Sequence, residues 1–260
     1  MRILLTADLH FHRPWFEWIL RVADRYDLVC VAGDLLDIYH PEGFVPQLIY
    51  VYEWAQLLVK LPSRLALCSG NHDLPANLPL LKPGDSIRKD KLSTLSEYSK
   101  HRRWLKALRL THQVAVDEDS KIVRASNGEY LSVLCCPYEA DGRVTMPECI
   151  TEPSLILHHE PPAQTRIAEP KGGNREFALF VARRQPAWTL SGHVHYTAGA
   201  ENHFFQIIGK TCCFNCRQIP IETVNLPPEP NFISLDTRTR EASWYHWIEG
   251  QNTGQITVGV

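Results

Sequence analysis

Short apolar runs alternate with longer amphipathic stretches through the first half of the chain. Arg2–Ala7, Leu28–Ala32 and Arg64–Cys68 are nearly continuous apolar runs and read as strands buried on both faces. Between them, Pro14–Arg25 places Trp15, Trp18, Ile19 and Val22 at helical spacing behind a proline suited to a helix start. Val45–Leu61 reads as a second helix that stops before Pro62. The order strand, helix, strand, helix, strand predicts an α/β fold in which helices cover a sheet. Further on, residues 74–87 read as a surface loop and Lys89–Leu110 as a helix. Val114–Val116, Lys121–Arg124 and Tyr130–Cys136 read as strands, with Asn127-Gly128 as a hairpin signal between the last two. Ser154–His158 and Trp188–Leu190 are two more strands flanking a helix at Arg175–Arg184, and 200–249 holds short strands with proline-rich connections. No linker, internal repeat or low-complexity segment interrupts the pattern, so residues 1–260 are expected to form one domain with two sheets.

Composition narrows the class without naming it. The 260 residues carry 27 Lys+Arg against 29 Asp+Glu, a net charge of −2. That balance gives no footprint for a broad nucleic-acid or anionic-membrane surface. The N-terminus lacks a signal-peptide apolar region, and no stretch approaches the ~18 apolar residues that a bilayer span requires. A cytoplasmic protein with reduced thiols is the resulting expectation. Cys30, Cys68 and the Cys135-Cys136 pair lie in apolar runs and read as small buried hydrophobes. Cys213-x-x-Cys216, with Cys212 beside it, has the spacing of half a zinc site or a redox pair, but no second such motif accompanies it. The basic stretch Lys100–Arg109 reads as a solvated helix face, with docking of an acidic substrate as the sharper alternative.

The polar residues follow the strands. Asp8-x-His10 comes after the first, Gly33-Asp34-x-x-Asp37 after the second, and Gly70-Asn71-His72-Asp73 after the third. His158-His159-Glu160-Pro161 and Gly192-His193-x-His195 come after two later ones. In open α/β sheets, sites form at the carboxyl ends of strands. Imidazole and carboxylate are ligands of Zn, Fe and Mn, and residues two apart in extended chain point the same way. The glycines permit tight turns and close backbone approach.

This ordered set resembles the calcineurin-like metallophosphoesterase superfamily over about three quarters of the chain. The resemblance implies a two-sheet β-sandwich flanked by helices, the αββα arrangement, and a site with two divalent or trivalent transition-metal ions. One ion would be held by Asp8, His10, Asp34 and His195, the other by Asp34, Asn71, His159 and His193, with Asp34 bridging. The family's histidine stands two residues before a proline, which selects His159 over His158. His72 resembles the catalytic histidine and Asp37 its carboxylate partner. Asp73 reads as a turn or cap residue ahead of a functional one, and His12 equally as a pocket or a loop histidine. The resemblance implies hydrolysis of a phosphate ester by attack of a metal-bridging hydroxide on phosphorus, His72 assisting the leaving group.

Departures from the family pattern sharpen the expectation. Asp37 is followed by Ile38-Tyr39 where phosphoprotein phosphatases carry an arginine that grips a phosphomonoester. A phosphodiesterase is therefore the favoured reading, ahead of a phosphomonoesterase and of a nuclease of the DNA-repair branch. Asp8-x-His10-x-His12 also resembles the opening of the polymerase-and-histidinol-phosphatase family, which does not supply the later motifs. A non-catalytic interaction scaffold on the same fold would be expected to have lost ligands that this sequence retains.

Overall fold

The computed structural model describes residues 1–73, 104–109, 111–146, 152–197, 203–223, 225–248 and 251–260. The expected loop at 74–87 and most of the helix expected at Lys89–Leu110 lie outside these residues. Within them, Trp104–Leu108 forms a 3₁₀ turn.

The N-terminal strands β1 (Arg2–Thr6), β2 (Leu28–Ala32), β3 (Arg64–Cys68) and β4 (Val114–Ala115) pair in parallel, with Leu4 opposite Val29 and Val29 opposite Leu65. The other edge of β1 pairs antiparallel with β11 (Phe232–Asp236), which leads to β12 (Glu241–Ile248) and β13 (Gln251–Gly259). The sheet order is thus β13-β12-β11-β1-β2-β3-β4. A second sheet runs β5-β6-β7-β8-β10-β9. It comprises β5 (Ser120–Arg124), β6 (Tyr130–Cys135), β7 (Leu155–Leu157), β8 (Trp188–Ser191), β9 (Phe205–Ile208) and β10 (Thr211–Asn215). β5 and β6 form the expected hairpin, Arg124 facing Tyr130 across a loop that includes Asn127-Gly128.

Alternation along these strands builds the layers. Ile3, Leu5, Cys30 and Cys68 point from the first sheet toward Val133, Leu157, Leu190 and Phe214 of the second, forming the core between them. On the outer face of the first sheet, Leu4, Val29, Val31, Leu65 and Leu67 meet α1 (Arg13–Val22) and α2 (Phe44–Leu58). The helices contribute Trp15, Phe16, Ile19, Val51 and Trp54, spaced along one stripe. Truncating a buried indole such as Trp54 to alanine would cost about 3–5 kcal/mol. On the outer face of the second sheet, Leu134, Ile156 and Cys213 pack against Phe177 and Val181 of α3 (Arg175–Arg184). The side chain of Asn174 caps α3 by accepting the Phe177 N–H at 2.9 Å. Helices, sheet, sheet and helix therefore follow one another in the αββα order. No helix among the described residues is long and apolar enough to cross a membrane.

Candidate metal centre

The carboxyl ends of β1, β2, β3, β7 and β8 open on one spot between the two sheets, where the expected donors meet. Strand geometry alone would send neighbouring side chains to opposite faces, and the chain escapes this by turning sharply. Asp8, His10, Asp34 and His193 all adopt positive φ, at 53°, 42°, 52° and 66°. Such conformations are uncommon outside glycine, although Asn, Asp and His adopt them several-fold more readily than other side chains, and they persist only where surrounding bonds hold them. Backbone bonds hold them here: Asp8 N–H donates to Gly33 O at 3.0 Å and His10 N–H to Asp34 O at 2.9 Å. His193 N–H donates to both Asp8 carboxylate oxygens, at 2.9 and 3.1 Å.

The motif glycines make the room. A Cβ on Gly33, itself at φ 85°, would lie 2.4 Å from His159 Nδ1. One on Gly70 would lie 2.2 Å from Asp34 Oδ1, and one on Gly192 2.6 Å from Asp8 Oδ2.

The donor atoms face one another in overlapping groups. Asp8, His10 and His195 form one; Asp8, Asp34 and His159 another; His10, Asp34 and His72 a third, each with its donor atoms within 4.8 Å. His10 Nε2 lies 3.3 Å from His195 Nε2 and 3.7 Å from Asp34 Oδ2. His159 Nε2 lies 3.3 Å from Asp34 Oδ2 and 3.0 Å from Asn71 Oδ1, and His193 Nδ1 is 2.8 Å from the same Asn71 oxygen. The His159 Nδ1–H donates to Ala32 O at 2.8 Å, which fixes the ring and turns Nε2 inward, the usual arrangement for a ligating imidazole. His158 turns the other way, donating from Nδ1 to Glu160 O at 2.8 Å and lying against Phe177 of α3.

Electrostatics test whether cations suit this centre. Asp8 and Asp34 are almost fully buried, at 0% and 2% exposure, and buried carboxylates require positive partners. Burial pushes the Asp8 carboxyl up. At Asp34 burial acts the same way, but the charges of His159, His10 and His72 and the His159 bond outweigh it and hold the carboxyl low. Burial alone would lower His159, yet Asp34 and Asp8 raise it to about 9, so the field at this point stabilises a cation. Burial, His159 and Lys171 depress His193 to about 3, and burial lowers His10 and His195, leaving neutral imidazoles with lone pairs available. Buried carboxylates, neutral imidazoles and an amide oxygen are a donor set that fits Mn, Fe or Zn.

His72 and Asp37 stand at the rim. His72 N–H donates to Asp34 Oδ1 at 2.8 Å, and the ring meets that of His10 edge-on at 4.5 Å. Asp37 Oδ1 lies 3.5 Å from His72 Nδ1, and the Ile38 N–H donates to the same nitrogen at 3.3 Å. Burial would lower His72, but the Asp37 contact and the charges of Asp34 and Asp73 raise it on balance. Asp73 is a brace: its carboxylate accepts from the N–H groups of Leu35, Leu36 and Gly70 at 3.2, 3.0 and 2.9 Å, tying two strand-end loops together.

Other supporting residues escaped the sequence reading. Buried Gln47 on α2 accepts the Asp37 N–H at 2.8 Å and donates to Asp37 O at 2.9 Å. A glutamine within an otherwise apolar helix face was the available signal. Behind the centre, Asn215 donates to Gly192 O at 2.8 Å and Gln218 to Ala7 O at 3.3 Å. Lys171 reaches the rim by donating to His193 O at 2.7 Å.

A two-sheet αββα sandwich with acid, imidazole and amide donors gathered at its strand ends is the architecture of a metal-dependent phosphoesterase. The calcineurin-like phosphoesterase family model matches residues 1–197, and the chain belongs to that family. Among solved structures it is similar to TT1561 of Thermus thermophilus, with a TM-score of 0.54 and 14% identity over 94% of this chain and 97% of that one. A metallophosphoesterase from Sphaerobacter thermophilus scores 0.41 at 13% identity, covering 96% of this chain and 90% of that one. Vps29 of Chaetomium thermophilum scores 0.41 at 11% identity, covering 100% and 97%. At such identities the first likeness speaks for the fold alone. No curated protein matches the sequence.

Proposed function

We propose that the protein is a metal-dependent phosphoesterase that prefers phosphodiesters. The observation behind this reading is the convergence of buried donors from separate strand ends on one point that favours positive charge. In this proposal Asp8, His10, Asp34 and His195 hold one cation, and Asp34, Asn71, His159 and His193 hold the other. Two such cations, when bound, supply Lewis-acid polarisation of the phosphoryl group and activate water. The chain's own residues orient and transfer protons. The Ala32 carbonyl and the His193 amide keep His159 and Asp8 aimed inward. His72 is placed to give a proton to the departing alkoxide oxygen, its acidic neighbours raising its basicity and Asp37 beside Nδ1 orienting the ring. Ile38 and Tyr39 follow Asp37, with the Tyr39 ring 5.8 Å from that of His72. Those side chains bring no fixed positive charge for the second anionic oxygen of a monoester, which supports the diester preference.

The test pairs metal analysis with a substrate panel. Purified protein should hold about two transition-metal ions per chain and hydrolyse bis(p-nitrophenyl) phosphate faster than p-nitrophenyl phosphate. Undiminished hydrolysis after complete metal removal would overturn the metal-dependent reading, and a monoester preference would overturn the diester assignment. A strong preference for single-stranded DNA would move the protein to the nuclease branch.

A further inference from the structure

A pocket of about 330 Å³ opens directly beside the centre and shares His10 with it. Its volume falls in the ~300–1,000 Å³ range of small-molecule sites. Its remaining walls come from residues the donor cluster does not use, among them Phe11, His12, Arg13, His40, Ile221 and Leu226.

The backbone at Phe11 gives a reason to look here. Phe11 follows His10 at φ 55°, a conformation a bulky aromatic rarely adopts. At Asp8 and His10 the same strain aims donors at the cluster, whereas Phe11 has no donor to offer. Its N–H is held by Leu35 O at 3.0 Å, and its ring forms a pocket wall, meeting His40 edge-on at 4.9 Å. Arg13 stands over that ring at 5.0 Å, its guanidinium fixed by Glu42. The pocket thus combines apolar surfaces (Phe11, Ile221, Leu226) with hydrogen-bonding edges (His12, His40, Arg13). That combination suits a flat ring carrying polar groups at its edge.

We propose that this pocket receives one ester arm of a phosphodiester and selects a heteroaromatic arm, the chemistry of a nucleoside. The proposal rests on the phosphoesterase reading, because His10 joins the pocket to the reacting centre.

Three esters with a common leaving group test it: the p-nitrophenyl esters of thymidine 5′-phosphate, of phenyl phosphate and of methyl phosphate. In each, water supplies the oxygen that bonds to phosphorus and its proton passes to solvent, and the P–O bond to p-nitrophenolate breaks with its electron pair leaving on that oxygen. The methyl ester needs no pocket, so its failure with manganese-loaded protein counts against the phosphoesterase reading alone. The expected result is a kcat/KM about tenfold or more higher for the thymidine ester than for the methyl or phenyl ester, expressed mainly in KM. Leu226→Trp, which fills the pocket, and His40→Ala, which removes a polar edge, should each erase that preference and leave methyl-ester turnover unchanged. Independently of turnover, saturation-transfer NMR should detect thymidine binding to metal-free protein and its loss in Leu226→Trp. Equal kcat/KM for the three arms, a phenyl arm as good as thymidine, or thymidine binding that survives Leu226→Trp would overturn the proposal.

Discussion

The strand-end cluster and the cysteine-rich strand β10 both gather metal-binding side chains, and they use them in opposite ways. Cys212, Cys213 and Cys216 fall within five positions, yet they diverge: Cys212 and Cys216 enter the core between the sheets, and Cys213 faces α3. Burial pushes the first two thiols in the run to about 12 and about 11 and raises Cys216 as well, so all three stay protonated and inert. The histidines and aspartates of the centre are spread over nearly two hundred positions and converge. The difference lies in the backbone. Within β10 the two-residue alternation separates neighbours, whereas beyond the ends of β1, β2 and β8 positive-φ turns abandon that period and bring donors together. Ligand-type residues therefore converge where a turn past the strand breaks the two-residue period, and diverge where that period continues, as it does from β10 through Cys216.

The largest test of this contrast is Asp34→Ala. Asp34 lies near donors of both proposed ion sets, so bound metal should fall well below its wild-type level, as read by elemental analysis. Hydrolysis of bis(p-nitrophenyl) phosphate should drop by more than ~10³-fold, beyond the effect of losing one stabilising hydrogen-bond donor. His72→Ala comes next and separates chemistry from ligation. On a diester with an alkyl leaving group, which needs that proton, it should lower kcat by about 10²–10⁴-fold, the range of a lost proton-transfer group, while metal content stays near that of the parent. A parallel loss of metal would instead make His72 a ligand, as its placement within 4.8 Å of His10 and Asp34 would allow.

Much of the fold could be read from the sequence because its dominant signals are local. The apolar runs of β1 to β3 mark strands buried on both faces, and the spacing of Trp15, Trp18, Ile19 and Val22 marks α1. Gly33, Gly70 and Gly192 stood out because glycines beside acids and histidines mark close backbone approach. The divergence of His158 and His159 followed from alternation, while the choice of His159 came from the resemblance to a family histidine two residues before a proline. What remained hidden was non-local. The pairing of β11 with β1, which carries the C-terminal region onto the first sheet, has no signature in either strand. The buried bonds of Asn215 and Gln218 to Gly192 and Ala7 join residues more than twenty and two hundred positions apart, and composition does not mark them. The positive φ values at Asp8 and His10 were equally hidden, because only the assembled donor cluster accounts for them.

Gln47→Leu sharpens the comparison at the next level, since it alters a support and no donor. It removes two bonds to the Asp37 backbone and leaves the buried Asp37 N–H unpaired, at about 1–3 kcal/mol, while Asp37 O keeps the His40 N–H at 3.3 Å. Metal content should be unchanged and kcat should fall by roughly 10–100-fold, the effect typical of a lost outer partner of a metal site. Combined with His72→Ala, it should add little, because both act on the same imidazole. Full additivity would place Gln47 outside that chain of contacts.

The smallest effect belongs to the other region. Cys213→Ala removes a buried thiol that packs with Ile156, Phe177 and Val181 beneath α3. Thermal unfolding should reveal a loss of about 1 kcal/mol, that of a modest core truncation. Metal content and diester turnover should match the parent, because Cys213 and Cys216 project to opposite sides of their sheet and cannot close on one ion. A drop in bound metal would mean that β10 contributes to the centre after all, and that alternation inside a strand is a weaker barrier to shared ligation than the geometry of this sheet implies.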